Sequence, residues 1–341
     1  MTQQATDRLF DTLAGFFPIP AAFRQADTDA VAARQLLGCD DDTLAELVRR
    51  GLPATRDGAR LRFDQRDLFN LALHTGSGRT PPELAFRYAL RWMSLPTDEL
   101  TCARTWTFTA DVGCRTPRYC DGDPGSALAV PAPQLYGGAI RLPEPIDTDA
   151  AGRLRSHGEK LHFQAEIRVD GEFTEIRSAQ VRDIYAGFLA RSLRWSKLPA
   201  AIQADVDTLL PRGIATCVTA SLYLERRCHA AGLTARTRRG WVLGMLDLVH
   251  AWVEVVDTDG TIKILDPIFG LFSSMLPDSN PLLDRPDISA RTNRLLPTAL
   301  SAAQPLATHG CRGTVSEPSV AAVILPVSPD SAPADLRREK Q

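Results

Sequence analysis

The sequence predicts an α+β chain in which a helical N-terminal region precedes a helix packed on an antiparallel sheet. Three observations carry that expectation. Apolar residues recur at helical spacing up to about residue 96. Large apolar residues alternate strictly with smaller or polar ones in the runs 105–109 and 161–169. A strand–turn–strand pattern over 249–266 follows a capped helix that starts at Cys217.

Residues 1–96 read as helical. Asp40, Asp41 and Asp42 precede Leu44, Leu47 and Val48, an acidic first turn leading into an i, i+3, i+4 stripe. Pro81 and Pro82 open a further helix through Leu84, Phe86, Tyr88, Ala89 and Trp92, and Pro96 ends it. Residues 97–177 read as β-rich. Trp106 and Phe108 share one strand face, and Leu161, Phe163, Ala165, Ile167 and Val169 share another, with His162, Gln164, Glu166 and Arg168 opposite. Asp170-Gly171 is expected to turn that strand into a hairpin through Phe173 and Ile176. Residues 178–275 form the expected catalytic core. Residues 276–341 hold nine of the 24 prolines and few aromatics, so they are expected to be an extended, partly disordered extension with 320–327 as one added strand.

Composition excludes several functions. The 341 residues include 39 Lys+Arg against 41 Asp+Glu, a net charge of -2, which argues against a nucleic-acid binder working by phosphate neutralisation. No apolar run reaches the length of a membrane span, and the polar start of the chain does not read as a signal peptide. Seven scattered cysteines in a chain of this length point to thiols in a reducing cytoplasm rather than a disulfide framework.

The chemistry concentrates after Pro211. Pro211 and Gly213 disfavour helix, Thr216 is a good N-cap, and the helix that follows is expected to run to Ala231 and stop at Gly232. Cys217 then lies in the first turn, where unpaired backbone N–H groups and the helix dipole favour an anion and so activate a thiol. Ala220, Leu224, Cys228 and Ala231 form one stripe. Cys228 lies about 16 Å along the helix from Cys217, too far for a disulfide, and reads as a small core residue.

A strand over 233–243 follows, then Val249–Val256, the turn Asp257-Thr258-Asp259-Gly260, and the strand 261–266. A type I turn with Gly260 left-handed pairs Asp257 with Thr261 and sets Asp266 opposite Trp252, diagonal to His250 on the same face. A slip of one residue would separate them onto opposite faces. Cys217, His250 and Asp266 are therefore a candidate nucleophile, base and orienter.

The order of these pieces, Cys217, then Gly-Leu-Thr-Ala-Arg from 232, His-Ala-Trp-Val-Glu-Val from 250 and Leu-Asp-Pro from 265, resembles the transglutaminase-like core of the papain-like cysteine enzymes. The matching stretch is 213–267, with 179–212 in support, about a quarter of the chain. The resemblance implies a papain-like fold with the triad Cys217, His250 and Asp266. It also implies thiol-based acyl chemistry without metal or cofactor, in which an acyl donor, either a peptide or a carrier-bound acyl group, is passed to an amine acceptor. Two bacterial branches are similar. One condenses carrier-bound acyl groups with amines in natural-product assembly, and the other is the leader peptidase of lasso-peptide pathways, from which this chain departs in its length and its Leu-Asp-Pro ending. Amide formation in biosynthesis is the favoured reading. A cysteine peptidase or amidase with the same triad, a non-catalytic interaction protein that keeps the fold, and arylamine acetylation are the alternatives.

Other residues carry weaker readings. Trp241 and Trp252 are assigned to an acyl tunnel, against core packing, and Arg238 to an anionic substrate or phosphopantetheine, against a solvated face. Cys114 and Cys120 have no ligand partner at metal spacing and read as incidental loop thiols, so no metal site is expected. The 121–125 turn lacks a full calcium loop. His74, His157, His162, His229 and His309 show no partner in the sequence.

Overall fold

The computed structural model of the chain describes residues 3–115, 120, 123, 125–142, 146–149, 153–245 and 249–327, and side chains from residue 6 onward. It mixes helix and sheet, and it resolves into two compact units, each assembled from discontinuous stretches. The first comprises Met1–Ser94, Arg191–Thr219 and Met275–Asp278; the second comprises Leu95–Ala190, Ala220–Ser274 and Ser279–Gln341.

The first unit is built on helices Gln3–Ala14, Ala30–Leu37, Asp41–Arg49, Gln65–Leu73 and Pro81–Leu90. Their starts follow local chemistry. Asp40 accepts a hydrogen bond from Thr43 N at 2.9 Å, and Thr80 and Glu83 form a reciprocal capping box ahead of Pro81. Leu9, Leu37, Leu44, Leu47, Leu68 and Leu71 meet in one core with Phe63. The helical expectation for this stretch needs one correction. Thr28–Asp29, Arg60–Phe63 and Thr55–Asp57 form a small antiparallel sheet in that order. Residues 191–219 join this unit through polar contacts. Lys197 exchanges two hydrogen bonds with Asn70, at 2.7 and 3.0 Å, and His74 Nε2 donates to Trp195 O at 2.7 Å.

Among the described residues, the second unit holds three four-stranded sheets. In one, the order is Ser319–Pro326, Arg104–Gly113, Lys160–Val169 and Ala139–Arg141. The second runs Thr314–Ser316, Thr308–Cys311, Ala127–Pro131 and Arg153–His157. The third runs Ile262–Leu265, Val249–Val256, Ala235–Val242 and Leu295–Pro297. The period-two reading of 105–109 and 161–169 appears here as pairing, with Trp106 opposite Ile167 and Phe108 opposite Ala165. Trp106, Phe108, Phe163, Ile167, Trp241 and Leu296 share one core.

Two expectations change at the β-rich and C-terminal stretches. Asp170-Gly171 does not fold Glu172–Glu175 back on the preceding strand; that segment pairs with Ile288–Arg291 instead. Gly171 is wedged between backbones, and a Cβ there would lie 2.5 Å from Leu100 O and 2.7 Å from Arg291 O. Its N–H donates to Thr101 O, and Arg291 Nη1 holds Asp170 Oδ1 at 3.0 Å, so the chain leaves the strand sideways. The stretch after 276 is not a loose extension over its described part. It supplies five strands; the last, Ser319–Pro326, is the added strand expected at 320–327 and covers the edge of Arg104–Gly113. Residues 328–341 of the expected extension lie outside the described residues.

Gly171→Ala should therefore lower the stability of the second unit by about 1–3 kcal/mol, the usual cost of overpacking, read by chemical denaturation. An unchanged denaturation midpoint would refute that packing. A second outcome concerns Asp67, which accepts from Ile19 N at 2.7 Å in the first unit. Burial, helped by nearby Asp64, pushes its carboxyl up to about 6. Between the ordinary carboxylate value and about 6 the folded chain binds more protons than the unfolded chain, so stability falls as pH rises through that window. Asp67→Asn keeps the acceptor and should become the more stable protein by about 2 to 3 kcal/mol above that window. Parallel stability–pH curves for the two proteins would contradict it.

Candidate functional site

The helix Cys217–Ala230 starts where the sequence places it. Gly213 takes a left-handed φ of 73° after the turn Leu210–Arg212, and the chain then passes through the short strand Ile214–Ala215. Thr216 Oγ1 accepts from Thr219 N at 3.1 Å, which is an N-cap, and Thr219 Oγ1 donates to Gln203 O at 2.6 Å. Cys217 is thus the first residue of a 14-residue helix, and its side chain is partly exposed. The helix closes with Leu233 N donating to Cys228 O at 2.9 Å and Gly232 at φ 75°, the expected Schellman ending. Ala220, Leu224 and Cys228 are fully buried along one stripe. The boundary between the two units falls within this helix, after Thr219.

His250 and Asp266 lie in the second unit and meet there. Val253 stands opposite Leu265 and Val255 opposite Lys263, while Asp257 N donates to Thr261 O at 2.9 Å. Gly260 closes the turn at φ 77°. This register sets Asp266 just beyond the paired strand, diagonal to His250. The imidazole Nε2 is 2.7 Å from Asp266 Oδ2. A carboxylate can only accept, so Nε2 carries the hydrogen, and in the neutral ring Nδ1 is the basic nitrogen.

Asp266 is held at three points. Its Oδ2 takes the imidazole, its Oδ1 accepts from Phe269 N at 3.0 Å, and its carbonyl accepts from Tyr185 OH at 2.9 Å. It is the N-cap of the helix Pro267–Ser273, with Pro267 at the first helical position, so the Leu-Asp-Pro sequence is a strand end and a helix start at once. The ring of His250 stacks on Phe269, with centroids 4.7 Å apart at 12°. His250 and Asp266 are 3% and 5% exposed, which keeps bulk water from competing for their hydrogen bond.

The residues assigned to substrate are scaffold in their placement. Trp241 is buried against Phe108, centroids 5.1 Å apart and edge-on. Trp252 donates from Nε1 to Tyr136 OH at 2.7 Å, and Tyr136 donates to Glu254 Oε1 at 2.6 Å. Arg238 is buried rather than solvated. Its Nε donates to Glu254 Oε1 at 2.8 Å, and its Nη1 donates to Thr298 O at 2.8 Å and Gln134 Oε1 at 3.0 Å. An arginine so occupied is not presented to a ligand, and its partners Gln134 and Thr298 lie too far away in the chain for the local sequence pattern to reveal its burial.

The loop thiols set aside from the sequence have partners after all. Cys114 Sγ lies 3.2 Å from Cys120 Sγ, and Cys120 Sγ lies 3.7 Å from His309 Nε2. The three donor atoms all fall within 4.8 Å of one another, and Cys311 packs in the same cluster. This Cys–His group is the one set among the described residues with metal-ligating composition. The sequence shows Cys114 with Cys120 and His309-Gly310-Cys311 as separate pieces, and His309 is 189 positions from Cys120, beyond the reach of any spacing rule.

The cysteines differ in readiness to react. Burial and Glu225 push the Cys228 thiol up to about 11. Burial and Asp40 push Cys39 up to about 11, and burial with the adjoining thiols pushes Cys120 up to about 12. Cys217 is the first residue of its helix, and Cys102 is exposed. Iodoacetamide at neutral pH should therefore label Cys217 at least ~10-fold faster than Cys102, and Cys228, Cys39 and Cys120 slowest, as read by peptide mass spectrometry. Labelling of Cys217 no faster than that of Cys102 would remove the case for an activated sulfur.

No protein-family model matches the sequence, and no curated protein matches it. Among solved structures, the chain is similar to one described as "a Putative Cysteine Protease from Cytophaga hutchinsonii", with 11% identity and a TM-score of 0.36, over 68% of this chain and 94% of that one. No helix among the described residues is long and apolar enough to cross a membrane.

Proposed function

We propose that the chain is a thiol-dependent acyltransferase in which Cys217 is the nucleophile, His250 the base and Asp266 the group that orients it. The observation that carries this reading is the buried 2.7 Å hydrogen bond from His250 Nε2 to Asp266 Oδ2, which leaves Nδ1 as a fixed proton acceptor. The helix start at Cys217 supports the nucleophile, since its dipole and unpaired N–H groups favour a thiolate.

In this reading His250 Nδ1 takes the proton of the Cys217 thiol, and the sulfur attacks the carbonyl carbon of a peptide, ester or thioester donor. The tetrahedral intermediate collapses as the C–N, C–O or C–S bond of the donor breaks. His250 returns the proton to the leaving group and an acyl-enzyme remains. An amine then attacks the thioester, gives its proton to His250, and the Cys217 sulfur departs with the new amide formed. Asp266 keeps the imidazole in one tautomer and stabilises its charged form. The reading requires Cys217 and His250 to exchange a proton. It places amide formation, with an acyl donor and an amine acceptor, in peptide or natural-product biosynthesis, on the strength of the sequence resemblance.

Intact-mass spectrometry after exposure to acyl thioesters, followed by hydroxylamine, tests it. The wild-type chain should gain one acyl group and pass it to hydroxylamine, while Cys217→Ala gains none. His250→Ala should lose the transfer, and Asp266→Asn should slow it by roughly 10²–10⁴-fold. Acylation persisting in Cys217→Ala would overturn the assignment, and an acyl-enzyme that water discharges as fast in the presence of amine as in its absence would make the chain a hydrolase.

A further inference from the structure

We propose that Cys114, Cys120 and His309, with Cys311 as the fourth donor, form a closed structural zinc site in the second unit. Four features converge on it. Three of the donor atoms already lie within 4.8 Å of one another, at separations of 3.2 Å between Cys114 and Cys120 and 3.7 Å between Cys120 and His309. A tetrahedral zinc with bonds of about 2.3 Å to sulfur and about 2.0 Å to nitrogen sets its donors roughly 3.5–3.8 Å apart, close to the separations from Cys120 to Cys114 and to His309. The donor set, three sulfurs and one imidazole, is the soft composition that selects zinc over magnesium or calcium. The residues are 9%, 3%, 2% and 4% exposed, in the order Cys114, Cys120, His309, Cys311, which leaves no open position of the kind a catalytic zinc keeps.

The scaffold explains why these side chains meet. His309 and Cys311 are two apart on the strand Thr308–Cys311, so they share one face of it. Cys114 follows directly on the strand Arg104–Gly113 and is tied by its N–H to Glu159 O at 2.9 Å. Asp123, three residues after Cys120, accepts at Oδ2 from Arg312 N at 2.6 Å, next to Cys311. Ser126 Oγ lies 3.1 Å from His309 Nε2 and 3.2 Å from Gly158 O. When Nε2 takes the metal, the hydroxyl keeps the Gly158 carbonyl as its acceptor. Binding requires three thiols to lose their protons, and the ion then joins two sheets whose pairing is otherwise remote in sequence. A disulfide between Cys114 and Cys120 would account for two of the four side chains and leave the convergence of His309 and Cys311 unexplained.

The test uses the full chain purified under reductant and reconstituted with zinc alone. Elemental analysis should give about one zinc per chain. Replacement by cobalt should give sulfur-to-metal charge transfer in the near ultraviolet and the intense visible bands of a tetrahedral ion. Cys120→Ser and His309→Gln should lose the metal, whereas Cys102→Ser and Cys217→Ala keep it, the last separating this site from the proposed acyl chemistry. If the ligand variants do not fold, the cobalt spectrum and metal content of the wild-type chain decide. Substoichiometric zinc after reconstitution, a weak octahedral cobalt spectrum, or a Cys114–Cys120 disulfide in the reductant-purified chain would each overturn the proposal.

Discussion

The hydrogen bond from His250 to Asp266 depends on a register set six residues away. The turn from Asp257 to Gly260 fixes how Val249–Val256 meets Ile262–Leu265, and the side-chain period of two turns that register into a choice of face. With Val253 opposite Leu265, the imidazole and the carboxylate fall on one side and close to 2.7 Å. Shifted by one residue, Asp266 would face away and its helix-capping role would leave the imidazole without a carboxylate. The turn is itself chemically determined. Asp259 accepts from both the N–H and the hydroxyl of Thr261, and Gly260 takes the left-handed conformation that a side chain would strain.

The strand that carries His250 is buried on both faces, and both faces are satisfied by different means. Ala251, Val253 and Val255 pack as ordinary core. His250, Trp252 and Glu254 share the other face, where a polar group in a dry interior is tolerated only if paired. Trp252 and Tyr136 pass hydrogen bonds to Glu254, which also receives Arg238 and Arg236, while His250 is paired by Asp266. Tyr136 is held protonated by this arrangement, its phenol pushed well above the usual range by burial and by Glu254. A network so fully engaged resists repacking, and the His250 ring beside it is held by Asp266 and by its stack on Phe269.

Legibility in the sequence follows the range of the interaction. Thr216 as a cap, Gly232 as a stop and Asp257–Gly260 as a turn are local, and each could be read from neighbouring residues. The alternation over 161–169 could be read as well, because burial of one face is a local pattern even when the partner strand is far away. What could not be read is pairing across long separations. Gly171 looks like a turn residue, yet its lack of a side chain serves a close approach of Leu100 and Arg291. The prolines after 276 suggested loose chain with 320–327 as one added strand; the strand Ser319–Pro326 is there, but its partner edge more than 200 residues earlier could not be read. Arg238 gave no sign of being buried, because its partners Gln134 and Thr298 come from distant loops. The Cys114, Cys120 and His309 cluster was illegible for the same reason.

Thiols of one chemical kind thus take different states according to place: a helix start for Cys217, an apolar stripe for Cys228, a shared pocket for Cys114, Cys120 and Cys311. The functional reading rests on the imidazole that would serve the first of them. Long-range proton–nitrogen NMR of the Cys217→Ala protein, recorded on the neutral ring of His250, measures that imidazole directly. The account predicts a single locked tautomer with hydrogen on Nε2 and none on Nδ1. A ring averaging between tautomers, or one with hydrogen on Nδ1, would contradict it.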